Sequence, residues 1–144
     1  MVGFKKDSRL EREAPALIAV LNGKDPRDYF DKLQMKRGYQ FPLVVFLSGS
    51  FHDNARDFDK YEGLIKALGM CVHRMDKYWK EHPDEVKDIQ DCYGSDDKLP
   101  YWRKDLEFLG MSDVLVMLPG WRKHPGCCME YGYAKGKHIY TIEL

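Results

Sequence analysis

Two carboxylates and two loops carry the chemistry open to this chain. Glu130 stands within Gly126-Cys127-Cys128-Met129-Glu130-Tyr131-Gly132-Tyr133-Ala134. A glutamate in the first turn of a helix is favoured by the helix dipole, so its position alone has an ordinary explanation. Gly132, two residues on, costs a helix roughly 1 kcal/mol. With Ala134 it suggests close packing that turns Glu130 into a crevice. Asp105 follows Trp102 by three residues on an earlier helical stretch; it either reaches the same crevice or stays a solvated helix residue. Two acids facing one substrate suit nucleophilic attack paired with proton donation.

The loops suit an anion. Ser48-Gly49-Ser50-Phe51-His52 follows an apolar run and precedes a helix. Gly49 permits a tight turn, and backbone N–H groups at a helix N-terminus attract negative charge. An ordinary strand-to-helix turn has the same composition. In Pro119–Gly126, the cationic Arg122, Lys123 and His124 lead into a helix start, which makes either a phosphate site or a solvated loop. Trp121 offers its face to a base or to the loop itself. No GxGxxG or GxxxxGK[ST] occurs, so dinucleotide and NTP sites of those types are disfavoured. Cys71, Cys92, Cys127 and Cys128 form no CxxC pair and the histidine spacing fits no zinc pattern, so no metal site is expected. The adjacent Cys127 and Cys128 are either a redox pair or two small residues packing at a helix start. His73 and His138 flank strands and read as structural; His82 reads as solvated.

These residues need elements to hold them. Leu43-Val44-Val45-Phe46-Leu47 and Val114-Leu115-Val116-Met117-Leu118 are continuous apolar runs, as expected of strands buried on both faces. Two weaker strands are expected at about Met70–His73 and His138–Ile142. Between the first two runs, Phe58, Tyr61, Ile65 and Leu68 form a helical stripe that Gly69 stops. Trp102, Leu106 and Leu109 outline another helix, and a further one is expected over about Cys127–Lys135. Residues 76–97, with eight acidic and three basic residues, read as a helical or loop insertion. Strands alternating with helices imply a parallel sheet. The simplest order is 2-1-3-4, a flavodoxin-like (Rossmann-like) three-layer sandwich with four or five strands. That order reverses between strands 1 and 3, where ligands bind outside the carboxyl ends of open α/β sheets. The two loops above are those ends.

The length of 144 residues suits about one domain. Its 23 basic and 23 acidic residues cancel, which argues against a nucleic-acid polymer as partner. The sum conceals nine basic and six acidic residues in 1–41, a segment read as a helical extension packing on the domain or on a partner subunit. Residues 42–144 form the α/β domain. No apolar run approaches the roughly 18 residues of a membrane span, and no apolar stretch precedes the charges of MVGFKKDSRLEREAP, so neither a membrane segment nor a secretory signal is expected.

The strand-1 loop, Asp105-Leu106, Ser112-Asp113-Val114-Leu115-Val116-Met117-Leu118-Pro119-Gly120-Trp121 and the Gly126–Ala134 stretch occur in one order. Together they resemble the nucleoside 2-deoxyribosyltransferase superfamily, including its 2′-deoxynucleoside 5′-phosphate N-hydrolases and small, phage-type relatives. The resemblance covers about residues 43–144, and G-x-x-x-E-x-G-x-A is its most specific part. It implies a flavodoxin-like fold and cleavage of an N-glycosidic bond without cofactor. It places Glu130 as the nucleophile at C1′ and Asp105 as the acid that positions or protonates the base. Ser50 and His52 fall on the loop that holds sugar or 5′-phosphate, and Asp113 on a structural aspartate. It further implies a homo-oligomer acting in the cytoplasm. Three departures shape the expected substrate. Phe46 replaces a tyrosine common near the nucleophile, so one hydrogen bond to Glu130 is expected to be missing. His124, beside Arg122 and Lys123, favours a 5′-phosphate. The chain also ends directly after strand 4, without the tail that transferases lend a neighbour. The expectation is therefore hydrolysis of a (deoxy)nucleoside 5′-monophosphate, with base exchange or a non-catalytic nucleotide-binding module as alternatives.

Overall fold

A computed structural model describes residues 8–144; the basic start of the chain, residues 1–7, lies outside them. Four strands, β1 (Val44–Ser48), β2 (Cys71–Arg74), β3 (Val114–Met117) and β4 (Tyr140–Glu143), form one sheet in the order β2-β1-β3-β4. All three pairings are parallel. The strand order and the flavodoxin-like layering match the sequence expectation, with four strands rather than five. No helix among the described residues is long and apolar enough to cross a membrane.

Alternation along β1 and β3 builds two cores. Val45 and Leu47 pair with Val114 and Val116 and face one side. There they meet Leu17 and Val20 of α1 (Ser8–Leu21), Leu33 of α2 (Arg27–Arg37), and Phe58 and Ile65 of α3 (Ala55–Ala67). Phe46, Leu115 and Met117 face the other side. They pack on Met75 of α4 (Met75–Glu81), Leu109 of α6 (Leu99–Gly110), and Cys127 and Ala134 of α7 (Pro125–Gly136). The period of two in a strand decides which layer each residue serves, and Ser48 falls on the Phe46 side.

The helices of 1–41 pack on the sheet domain itself. Leu17 and Val20 are fully buried in the same core as β1 and β3. A polar clamp adds to this contact. The Arg37 guanidinium donates to Glu13 Oε1 through Nε at 2.9 Å and to the Leu68 carbonyl through Nη2 at 2.8 Å. Gly69 turns with φ of 78°, and a Cβ there would come within 2.5 Å of Arg37 Nη1, so glycine serves both the turn and the clamp. At the other end of α1, Asp113 accepts from Arg9 at 2.8 Å and from the Val44 N–H at 2.8 Å. That fixes the start of β1 against β3.

Two boundaries differ from expectation, and the 76–97 insertion takes the helical of its two expected forms. The fourth strand starts at Tyr140, because His138 adopts a positive φ of 58° and the Ile139 N–H returns to the Ala134 carbonyl. That left-handed residue closes α7 and delays the strand. Helix α7 itself begins at Pro125, whose fixed φ suits a first helical position. Glu130 therefore sits in the second turn, where the dipole explains less of its presence. Residues 76–97 form mainly helices, α4 and α5 (Pro83–Tyr93), and α5 buries none of its residues fully.

Gly132 also departs from its expected role. It is exposed, and a Cβ there would meet nothing within 4 Å; Ala134, two residues on, is the one fully buried. Gly132→Ala is expected to raise stability by about 0.5–1 kcal/mol through helix propensity alone, read as a higher urea midpoint.

Candidate active site

Four segments meet at the carboxyl ends of β1 and β3 around a cleft of about 330 Å³. The β1–α3 loop gives Gly49 and Phe51. His124 stands at the N-cap of α7, and the first two turns of α7 give Gly126, Cys127 and Glu130. Helix α6 and its N-cap give Lys98, Tyr101, Trp102 and Asp105. Trp79 of α4 and Val86 of α5 close the remaining side.

The two carboxylates lie on the floor of this cleft, each 7% exposed. Ser48 donates its hydroxyl to Glu130 Oε1 at 3.3 Å. Glu130 Oε2 is buried without a hydrogen-bond partner among the described residues. Trp79 donates its indole N–H to Asp105 Oδ1 at 3.2 Å. Burial, first, and the nearby Asp105 charge, second, push the Glu130 carboxyl well above its usual range, against a smaller opposing effect of the Ser48 bond. Burial pushes Asp105 up to about 6, with the Trp79 bond pulling the other way. Two neighbouring acids with raised pKa in one cleft make this the candidate site.

The loops are held by a residue that sequence reasoning missed. Buried Asn54 accepts the Ser50 N–H at 2.8 Å and donates to the Pro119 carbonyl at 3.0 Å, joining the two crevice loops. A Cβ on Gly49 would lie 2.8 Å from Leu118 Cδ1 and 3.0 Å from Asn54 Oδ1, so this close approach requires glycine. Gly126 lies against the Trp102 ring, where a Cβ would make an ordinary contact at 3.4 Å from Nε1.

Not every expected residue reaches the cleft. Ser48, Gly49, Phe51, Asp105, His124, Gly126 and Glu130 line or back it. Ser50 is occupied locally, its hydroxyl accepting the Asp53 N–H at 3.1 Å, and His52 is exposed outside the lining. Trp121 stacks on Tyr131 at 4.6 Å between ring centroids and joins the core instead. Arg122 lies over the Trp121 ring and pairs with Glu143 at 3.1 Å, away from the cleft. His124 contacts Asp53 Oδ2 at 3.1 Å through Nε2. The basic side chains lining the cleft are thus Lys98 and the His124 imidazole. Trp79, Val86, Lys98, Tyr101, Trp102 and Cys127 were not expected there; the isolated tryptophan at 79 in a polar segment is a signal that could have pointed to this wall.

No protein-family model, curated protein or solved structure matches this chain. The resemblance stated above therefore rests on the quoted residues alone, and the site has to be read from its chemistry.

That chemistry disfavours thiol redox. Burial raises the Cys127 thiol to about 11, so it stays protonated and unreactive at neutral pH. Cys128 directs its thiol to the Arg122 carbonyl at 3.5 Å, and all four cysteines are free. Among the described residues no three His, Cys, Asp or Glu side chains are grouped to hold a metal ion.

Trp79→Phe keeps an aromatic wall and removes the donor to Asp105. The Asp105 pKa is expected to rise further, because the lost bond is the influence that lowers it. Carboxyl NMR titration of wild type and variant checks the direction.

Proposed function

We propose that this chain hydrolyses the N-glycosidic bond of a (deoxy)nucleoside 5′-monophosphate. The observation that carries the reading is the pair of buried carboxylates on the floor of one aromatic-walled cleft, with Glu130 Oε2 left unpartnered. Phe51, Trp79, Tyr101 and Trp102 supply flat faces for a base. Lys98, His124 and the N-terminus of α7 supply positive potential for a phosphate, in place of the expected Arg122.

In this reading Glu130 Oε2 attacks C1′ as the bond to the base breaks and its electron pair passes to the base nitrogen. Asp105 gives that nitrogen its proton. Positive charge developing at C1′ favours the ionised form of Glu130, and the Ser48 hydroxyl supports it, so the proton held by the pair resides on Asp105. Water then attacks C1′ of the glycosyl ester, returns a proton to Asp105 and frees Glu130. The two-carboxyl logic is that of retaining glycosidases.

The test is incubation with a panel of nucleoside 5′-monophosphates, the matching nucleosides, and nucleoside plus free base. Release of free base from a monophosphate is expected. Base exchange without hydrolysis would give a transferase instead, and nucleotide binding without release of any base would give a binding module.

A further inference from the structure

We propose that the floor of this cleft is a receptor for an organic cation, a protonated ring nitrogen held between Glu130 and Asp105 beneath aromatic walls. The inference deepens the glycosidase reading by naming the charge of the species the floor prefers, and it rests on that cleft being the substrate site. Three observations carry it. First, Glu130 Oε2 is an acceptor buried without a donor, a state that a neutral, donor-poor ligand leaves uncorrected. An N–H of a cation would correct it with a charge-assisted bond. Second, the walls include the rings of Phe51, Tyr101 and Trp102, aromatic groups whose faces attract cations, while Trp79 gives its N–H edge to Asp105. Third, the groups bordering the floor add no positive charge there. Ser48 of β1 and Trp79 of α4 are neutral donors, Cys127 of α7 is a neutral thiol, and α5 contributes Val86. The basic groups that line the cleft stand at helix starts: Lys98 at the N-cap of α6 and the His124 imidazole at that of α7, the latter in contact with Asp53.

Cation binding is linked to proton loss. Burial and the neighbouring Asp105 hold the Glu130 carboxyl well above its usual range. An ammonium group entering the floor favours the doubly ionised pair, so cation binding shifts proton occupancy from the pair toward solvent.

The experiment uses two small rings of matched shape: 1,4-dideoxy-1,4-iminoribitol, whose ring nitrogen is protonated at neutral pH, and 1,4-anhydroribitol, whose ring atom is an uncharged oxygen. Each is titrated into the full chain by calorimetry at pH 7 in buffers of differing ionisation enthalpy. The amine is expected to bind at least about tenfold tighter than the ether and to release part of a proton. Glu130→Gln and, separately, Asp105→Asn are each expected to reduce that preference, with circular dichroism verifying that both variants fold. Equal affinity for the two rings, binding of neither, or a preference that survives both substitutions overturns the inference. Amine preference in a chain that releases no base removes the glycosidase reading and keeps this one; base release without amine preference does the reverse.

Discussion

Glu130→Gln is expected to lose base release by on the order of 10³-fold or more while melting at a higher temperature than the wild type at pH 8. Glutamine keeps the side-chain shape and can still accept the Ser48 hydroxyl, so the fold has no reason to rearrange. It removes the nucleophile, and it also removes a carboxyl that folding takes out of water. A group whose pKa is raised in the folded state contributes stability fully below its unfolded value, here near 4.5, and loses that contribution as the pH rises through the folded value. The wild type therefore weakens from acid toward pH 8 because of this group, and the variant does not. Asp105→Asn follows the same sign with a defined window, between the ordinary 3.8 and about 6. A two-unit shift corresponds to about 3 kcal/mol at pH 7–8, or on the order of 5–10 °C in melting temperature for a chain of this size. Both differences are expected to shrink toward pH 4. Melting curves across this range, together with base-release assays, check the pair of effects. A variant that melts below the wild type at every pH would make Glu130 part of the structural frame and remove the functional reading.

The parts of this site legible in the sequence are those governed by short-range pattern. Val45 through Leu47 and Val114 through Met117 are unbroken apolar runs, and only a strand buried on both faces uses such a run at that length. Their parallel pairing then places the two following segments side by side, which is why the sequence pattern alone groups Gly49, His124, Gly126 and Glu130. Side-chain direction was not legible. Trp121 and Arg122 occupy the right loop but turn toward Tyr131 and Glu143, partners that strand-and-helix pattern does not specify. The wall built by α4 and α5 was hidden for a different reason. Its segment is acidic and α5 carries no fully buried residue; the short apolar stripe of Val86, Ile89 and Tyr93 marks a helix face without marking what that face, or Trp79, covers. Asn54 was overlooked because a helix-preceding asparagine is ordinary, while its contact with Pro119 is a matter of tertiary approach.

Arg37→Ala is the substitution outside the cleft with the largest expected effect, a loss of about 3–5 kcal/mol of folding stability. Glu13 is fully buried, and Arg37 meets its Oε1 while Arg12 donates to Oε2 at 3.2 Å. Removing Arg37 leaves most of that charge uncompensated and strips the Leu68 carbonyl of a donor. Small domains have about 5–15 kcal/mol in total, so the urea midpoint should fall by a large fraction. Arg27→Ala, which breaks an exposed pair with Asp25, is the control and is expected to leave the midpoint unmoved. Replacing Glu13 and Arg37 together by leucine and methionine should recover part of the loss, because it removes the stranded Glu13 charge while Arg12 keeps only its bond to Gln40. If the double replacement is as unstable as Arg37→Ala, the Leu68 carbonyl and the Arg12 guanidinium, both deprived of a partner, account for the penalty. In either case turnover per folded molecule should stay at the wild-type value, because α1 covers the face of β1 opposite to the one that presents Ser48 to Glu130.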